Sequence, residues 1–168
     1  MMKVKIRKLH LDAVVPVYAK KGDAGLDLTA ISKRVETGND QEGEYIEYGT
    51  GLAIEIPEGH VGLIFPRSSV SKKDQFLANA VGVIDSGYRG EIKLRFKMEQ
   101  QFDVLTSWET PGIMNYEEGG NRFYANIYAI GDKVGQLIIM PYPSIELVEV
   151  NQLSDTDRGE GGFGSSGK

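Results

Sequence analysis

The chain is 168 residues long, enough for one domain with a sizeable core. It contains no cysteine, which excludes disulfides, thiol nucleophiles and Cys-ligated zinc. A formal net charge of -5 argues against a broad polyanion-binding face, although a small phosphate ligand needs only a few local donors. The 21 glycines, 6 prolines and many short β-type runs favour an all-β sandwich or barrel. No apolar stretch reaches spanning length, and Met1-Met2-Lys3-Val4-Lys5 lacks the apolar region of a signal peptide, so a cytoplasmic address is expected.

In chain order, the first expected strand is 3–11, with Val4 and Ile6 on one face and Leu9 and Leu11 following. Leu52, Ile54 and Ile56 alternate, and after the turn Pro57-Glu58-Gly59-His60 so do Val61, Leu63 and Phe65. A short helix is the most that fits after Ser68. Residues 76–84 form an apolar run with strand character, and Glu91 to Met98 alternate charge and apolar side chains as a half-buried strand does. Asp85-Ser86-Gly87 then reads as a tight hairpin turn, with Gly87 supplying a positive φ. Residues 99–121 break the rhythm and read as an insertion bearing Phe102, Trp108 and Tyr116. Residues 136–140 predict a buried strand, 145–150 a further one, and 152 onward a polar tail.

Five stretches have chemical character, each with an ordinary structural alternative. In Ala24-Gly25-Leu26-Asp27-Leu28 an acid lies amid apolar neighbours, where it would also serve as a turn cap. Pro66-Arg67-Ser68-Ser69 places a planar guanidinium and two hydroxyls at a strand end, an anion cradle or a plain Ser N-cap. Gly82 to Gly90 (G-V-I-D-S-G-Y-R-G) sets Asp85 beside Tyr88; read alone, it is turn chemistry and a strand aromatic. Gly131-Asp132-Lys133-Val134-Gly135-Gln136-Leu137 is a turn leading into a strand, in which a buried Gln136 amide would need a partner. In the last stretch, Arg158 and Phe163 punctuate a Gly/Ser-rich end that would otherwise be a flexible linker. The G-x-x-x-x-G-K match at 162–168 is accidental, because a phosphate loop needs a Ser or Thr and a helix next. His10 and His60 stand apart in no ligand-spaced motif, so Ser-His-Asp chemistry and a His-rich metal site lack material.

Together and in this order, the five stretches resemble the motif set of the trimeric deoxyuridine triphosphatases (dUTPases), over nearly the whole chain. The resemblance implies a jelly-roll-like β-barrel over 1–151, a C-terminal arm over 152–168 closing an active site, and a homotrimer whose sites draw on three chains. The segment after Met98 resembles the insertion of some phage members. It further implies hydrolysis of dUTP to dUMP and pyrophosphate, keeping uracil out of DNA and supplying dUMP for thymidylate synthesis. Asp85 would be the general base. Mg²⁺ would be carried by the phosphates and waters, with Asp27 reaching it through water. Arg67, Ser68, Ser69 and Gln136 would contact the phosphate chain, and Arg158, Gly164, Ser165 and Ser166 would close over it. The main chain around Gly82 and Ile84, with Asn79 close by, would read the uracil edge; Tyr88 would exclude a 2′-hydroxyl and Phe163 would stack on the base. Two other classes compete: a protein-binding module built on the insertion, such as one binding a repressor of mobile genetic elements, and a dCTP deaminase of related fold, which would release ammonia from dCTP.

Overall fold

The computed structural model describes residues 2–36, 44–98, 113–118 and 121–161. Among them the secondary structure is short strands and a single 3₁₀ turn, with no α-helix. The strands are β1 (Lys5–Lys8), β2 (Leu26–Thr29), β3 (Ser32–Glu36), β4 (Tyr45–Gly49), β5 (Leu52–Glu55), β6 (His60–Phe65), β7 (Gln75–Leu77), β8 (Gly82–Ile84), β9 (Lys93–Met98), β10 (Ile113–Glu118), β11 (Asn121–Asn126) and β12 (Lys133–Pro141). The 3₁₀ turn, Ser68–Lys72, follows β6, where the sequence allows at most a short helix.

Two four-stranded antiparallel sheets, ordered β2-β12-β6-β8 and β3-β4-β9-β7, share one core in a jelly-roll-like arrangement. Period-2 alternation sends Leu28, Ile64 and Leu137 inward from the first sheet and Ile46, Tyr48, Leu94 and Phe96 inward from the second. On β6 the buried positions are therefore Gly62 and Ile64, and Val61, Leu63 and Phe65 lie half-buried on the opposite face. Tyr48, Phe96 and Tyr128 meet edge-to-face at the centre, with ring centroids 5.5 to 6.1 Å apart. The Tyr48 hydroxyl donates to the Tyr128 carbonyl at 3.0 Å, and burial pushes its phenol up out of the physiological range. The sheets approach closely at Gly135, where a Cβ would fall 2.4 Å from a Leu94 methyl.

Residues 76–84 are two strands rather than one. β7 lies in the second sheet and β8 in the first, and the chain crosses between them through Ala80, at a φ of 56°. Nor do β8 and β9 form a hairpin: β8 pairs with β6, and β9 pairs with β4 and β7. Ile92, 1% exposed, is pulled into the core and exchanges main-chain hydrogen bonds with Thr50 and Leu52, which carries the chain from one sheet to the other. Gly87 does not take a positive φ. Residues 145–150 form no strand and leave Ile145, Leu147 and Val148 73 to 90% exposed, because neither sheet of the same chain pairs with them. The first strand is only four residues long, pairing with β5.

The insertion is in part a hairpin of β10 and β11, which runs past the expected boundary at 121 to Asn126 and pairs with neither main sheet. Phe102 and Trp108 lie outside the described residues; Tyr116 stands across from Phe123 in the hairpin ladder. Residues 142–161 run mostly exposed from the end of β12.

Candidate active site

Asp85 sits where the chain leaves β8. The Tyr88 N–H donates to the Asp85 carbonyl at 3.0 Å, closing a β-turn over Ser86 and Gly87. Arg89 secures the turn by donating to the carbonyls of Ser86 at 2.6 Å and Tyr88 at 2.9 Å. The Tyr88 hydroxyl donates to the Glu91 carbonyl at 2.9 Å, which lays the ring against the backbone of Gly90. The Glu91 carboxylate in turn accepts from the Gly51 N–H at 2.8 Å and anchors the end of the loop. The Asp85 carboxylate is exposed and makes no hydrogen bond or ion pair with the described residues.

Asp85, Tyr88, Asn79, Gly82 and Ile84 line one cavity of about 460 Å³. Its lining also holds an ion-pair cluster that belongs to none of the five motifs: buried Glu47 accepts from Lys93 and from Arg95, each at 2.9 Å. Burial pushes the Glu47 carboxyl up, but the hydrogen bonds and charges of Lys93 and Arg95 outweigh it and hold the group below the usual carboxylate value. The same hydrogen bond to Glu47 raises Lys93. The signal for this cluster was the Lys93-x-Arg95 alternation, with nothing in the sequence to say which acid faces it.

A second cavity, of about 320 Å³, collects Asp27 from β2, Arg67 and Ser68 from the segment after β6, and Gln136 from β12. It shares no lining residue with the first. Asp27 is neither a turn cap nor an isolated acid: its carboxylate meets the Arg67 Nε at 2.8 Å and the Lys133 Nζ at 2.7 Å. Lys133, a turn residue by its sequence, joins the cluster only through the fold. The Gln136 amide finds the partner it requires, donating to the Pro66 carbonyl at 3.1 Å. Gly25 packs against it so closely that a Cβ there would lie 2.4 Å from Oε1.

Other candidates fall elsewhere. Ser69 exchanges a hydrogen bond with the Tyr128 hydroxyl at 3.2 Å. Arg158 donates to the Gly161 carbonyl at 2.9 Å, within the arm, and lines neither cavity. Phe163, Gly164, Ser165 and Ser166 lie outside the described residues.

The family model described as dUTPase matches residues 12–106 and 97–167. The deoxyuridine 5′-triphosphate nucleotidohydrolase of Gloeothece citriformis is 38% identical over 167 residues, covering 99% of this chain and 97% of its own. Among solved structures, the dUTPase of Staphylococcus bacteriophage 80alpha with dUpNHpp superposes with a TM-score of 0.74 at 30% identity, covering 100% of both chains. The dUTPase of phage phi11 of S. aureus, determined to visualise a species-specific insert, gives 0.67 at 28% identity, over 92% of this chain and 100% of that one. A variant of the phi11 enzyme reveals the coordination of a structural Mg(II) ion (TM-score 0.63, 27% identity, 90% of this chain and 98% of that one). With the family match running from residue 12 to residue 167 and relatives alike over almost their full length, the chain belongs to the dUTPase family and is a dUTP diphosphatase.

Proposed function

We propose that this dUTPase forms dUMP and pyrophosphate by in-line attack of a water on the α-phosphorus, with Asp85 holding that water and taking its proton. The observation that carries the reading is the setting of Asp85. It is an unpartnered carboxylate on the wall of a cavity whose volume, about 460 Å³, suits a small ligand. A carboxylate suffices, because phosphoryl transfer depends chiefly on positioning and on neutralising charge.

Base selection would follow from β8. It is the edge strand of its sheet, so its main-chain donors and acceptors facing away from β6 are available to a uracil edge, near Gly82, Ile84 and Asn79. Cytosine reverses the donor and acceptor at two ring positions and would leave buried groups unpaired, a mismatch worth roughly 10⁴–10⁵-fold in a site of this kind. Tyr88 is assigned the exclusion of a 2′-hydroxyl, and Phe163 stacking on the base.

The phosphate chain is assigned to Arg67, Ser68, Ser69 and Gln136, with Arg158, Gly164, Ser165 and Ser166 closing from an arm spanning 152–168 against a barrel of 1–151. Mg²⁺ fits this site as an ion brought by the phosphates. Both oxygens of Asp27 already meet cations, and no group of three or more acidic or His side chains able to hold a metal occurs among the described residues. Asp27 would then reach the ion through water, and the ion would supply neutralising charge along the triphosphate.

Trimer assembly is typical of the dUTPase family, and we assign it to this chain with active sites shared between subunits. The separation of the Asp85 and Arg67 cavities supports this, as do the exposed apolar residues that follow β12. A second role, binding a repressor protein through the insertion, is favoured by the β10–β11 hairpin standing apart from both main sheets. It is favoured too by the description of the phage 80alpha enzyme as controlling transfer of virulence genes.

The test of the chemistry is pyrophosphate release from dUTP with Mg²⁺, in wild type and Asp85→Asn. The variant should lose at least about 10²-fold in kcat while binding nucleotide nearly normally. Unimpaired turnover would overturn the assignment.

A further inference from the structure

We propose that Lys133 is a positioning residue for the phosphate end of the site: it holds the Asp27 carboxylate in place while Arg67 passes from Asp27 to the arriving phosphate chain. This rests on the assignment of Arg67 to the phosphates.

The Asp27 side chain is only 13% exposed and stands between two cations, with Oδ1 2.8 Å from the Arg67 Nε and Oδ2 2.7 Å from the Lys133 Nζ. Arg67 therefore meets a carboxylate in the nucleotide-free protein, and a triphosphate must compete for it. If Arg67 were the sole cation touching Asp27, its departure would leave a largely buried carboxylate with no direct ion pair, only a water on the arriving ion, which is costly. Lys133 removes that cost. One carboxylate between two cations leaves a surplus positive charge for the phosphates, and after the exchange Asp27 and Lys133 remain a neutral pair.

The backbone is built to put Lys133 there. Lys133 stands across from Thr29 and Gly135 across from Leu28, so the two strands fall out of step at Val134. In a regular ladder Val134 would oppose Thr29, on the face that carries Asp27 and Gln136, and Lys133 would point into the core. The bulge instead buries Val134 completely and leaves Lys133 on the Asp27 face. Re-aiming a side chain beside an active site is a common use of a β-bulge.

A double-mutant cycle on the full chain tests the exchange, with calorimetric titration of dUpNHpp and Mg²⁺ into wild type, Lys133→Met, Asp27→Asn and the double variant, each first checked for an unchanged melting curve. Lys133→Met should weaken binding about tenfold in the wild-type background and less than about threefold in Asp27→Asn, since contacting residues couple. Lys133→Arg, which keeps a cation within reach of Asp27, should restore most of the affinity. An equal loss in both backgrounds would mean that Lys133 acts on the phosphates directly or as diffuse charge, and would overturn the proposal. Arg67→Ala is the separate control: undiminished binding there would remove the Arg67 assignment and the exchange with it, whereas additive losses beside a weakened Arg67→Ala remove the exchange alone.

Discussion

A Cβ on Gly90 would stand 2.4 Å from the Tyr88 hydroxyl and 2.6 Å from its ring Cζ. Tyr88 can lie along the loop and reach the Glu91 carbonyl because Gly90 has no side chain. The obstructed atoms are the far end of a rotatable side chain, so Gly90→Ala should fold normally and turn Tyr88 away. The expected outcome is a fall of about tenfold in the dUTP-to-UTP ratio of kcat/KM, in the range that small steric changes produce. An unchanged ratio would separate Tyr88 from sugar choice. Glu47 makes a different prediction. Its folded value is depressed below the ordinary 4.5, so its pairing with Lys93 and Arg95 stabilises the fold above that value and is lost as pH falls through the folded one. Lys93, raised by the same contact, contributes below its ordinary 10.5 and loses that contribution as pH rises through the folded value. Melting curves should show wild type losing stability in acid below about pH 4.5, and Glu47→Gln losing less over the same interval. At this scale the sequence showed which residues had chemistry but not their partners. Asp27 reads as an acid among apolar neighbours, and only the fold brings Arg67 and Lys133 to it from 40 and 106 residues away.

Strand existence was legible where alternation is clean, as in β5, β6 and β9, and in β12 from a short apolar run between Gly135 and Pro141. It failed where tertiary context overrides the local pattern. The apolar run 76–84 looks continuous because periodicity cannot reveal a change of sheet, and the break at Ala80 falls on a residue without a strong turn signature. In β4 only Ile46-Glu47-Tyr48 alternates, too short a stretch to stand out, and burial of the acid depends on cations from β9. Met98 pairs with Gln75, and Asp74 exchanges main-chain and side-chain hydrogen bonds with Asn126, so the two ends of the insertion flank consecutive residues of one strand entry. Joining Met98 to Ala125 through a short linker should therefore preserve the barrel and dUTP turnover within about twofold, since long surface loops add little to stability. The same variant should lose any partner captured by the wild-type insertion, measured by titration with a candidate repressor. Loss of turnover along with binding would show that the hairpin supports the active site.

For the whole molecule, the two cavities and the arm are incomplete apart. The Asp85 cavity has the proposed base and the strand edge proposed to read uracil, but none of Arg67, Ser68 or Gln136, the residues proposed for the phosphates. The Asp27 cavity has those residues but not Asp85. The segment after β12 leaves Leu147, 90% exposed, and Leu153, 82% exposed, without cover. These features fit a site completed by a neighbouring subunit, the arrangement that the motif order alone cannot express because it carries no information on which chain faces which. Subunit mixing tests the shared site most directly. Asp85→Asn and Arg67→Ala, each nearly inactive alone, would be unfolded together in equal amounts, refolded, and assayed for pyrophosphate release from dUTP. If Asp85 of one chain meets Arg67 of another, about a quarter of the sites receive both intact residues, and activity should return to that level. Activity no higher than that of either parent would mean that each chain builds its own site, and would contradict the account.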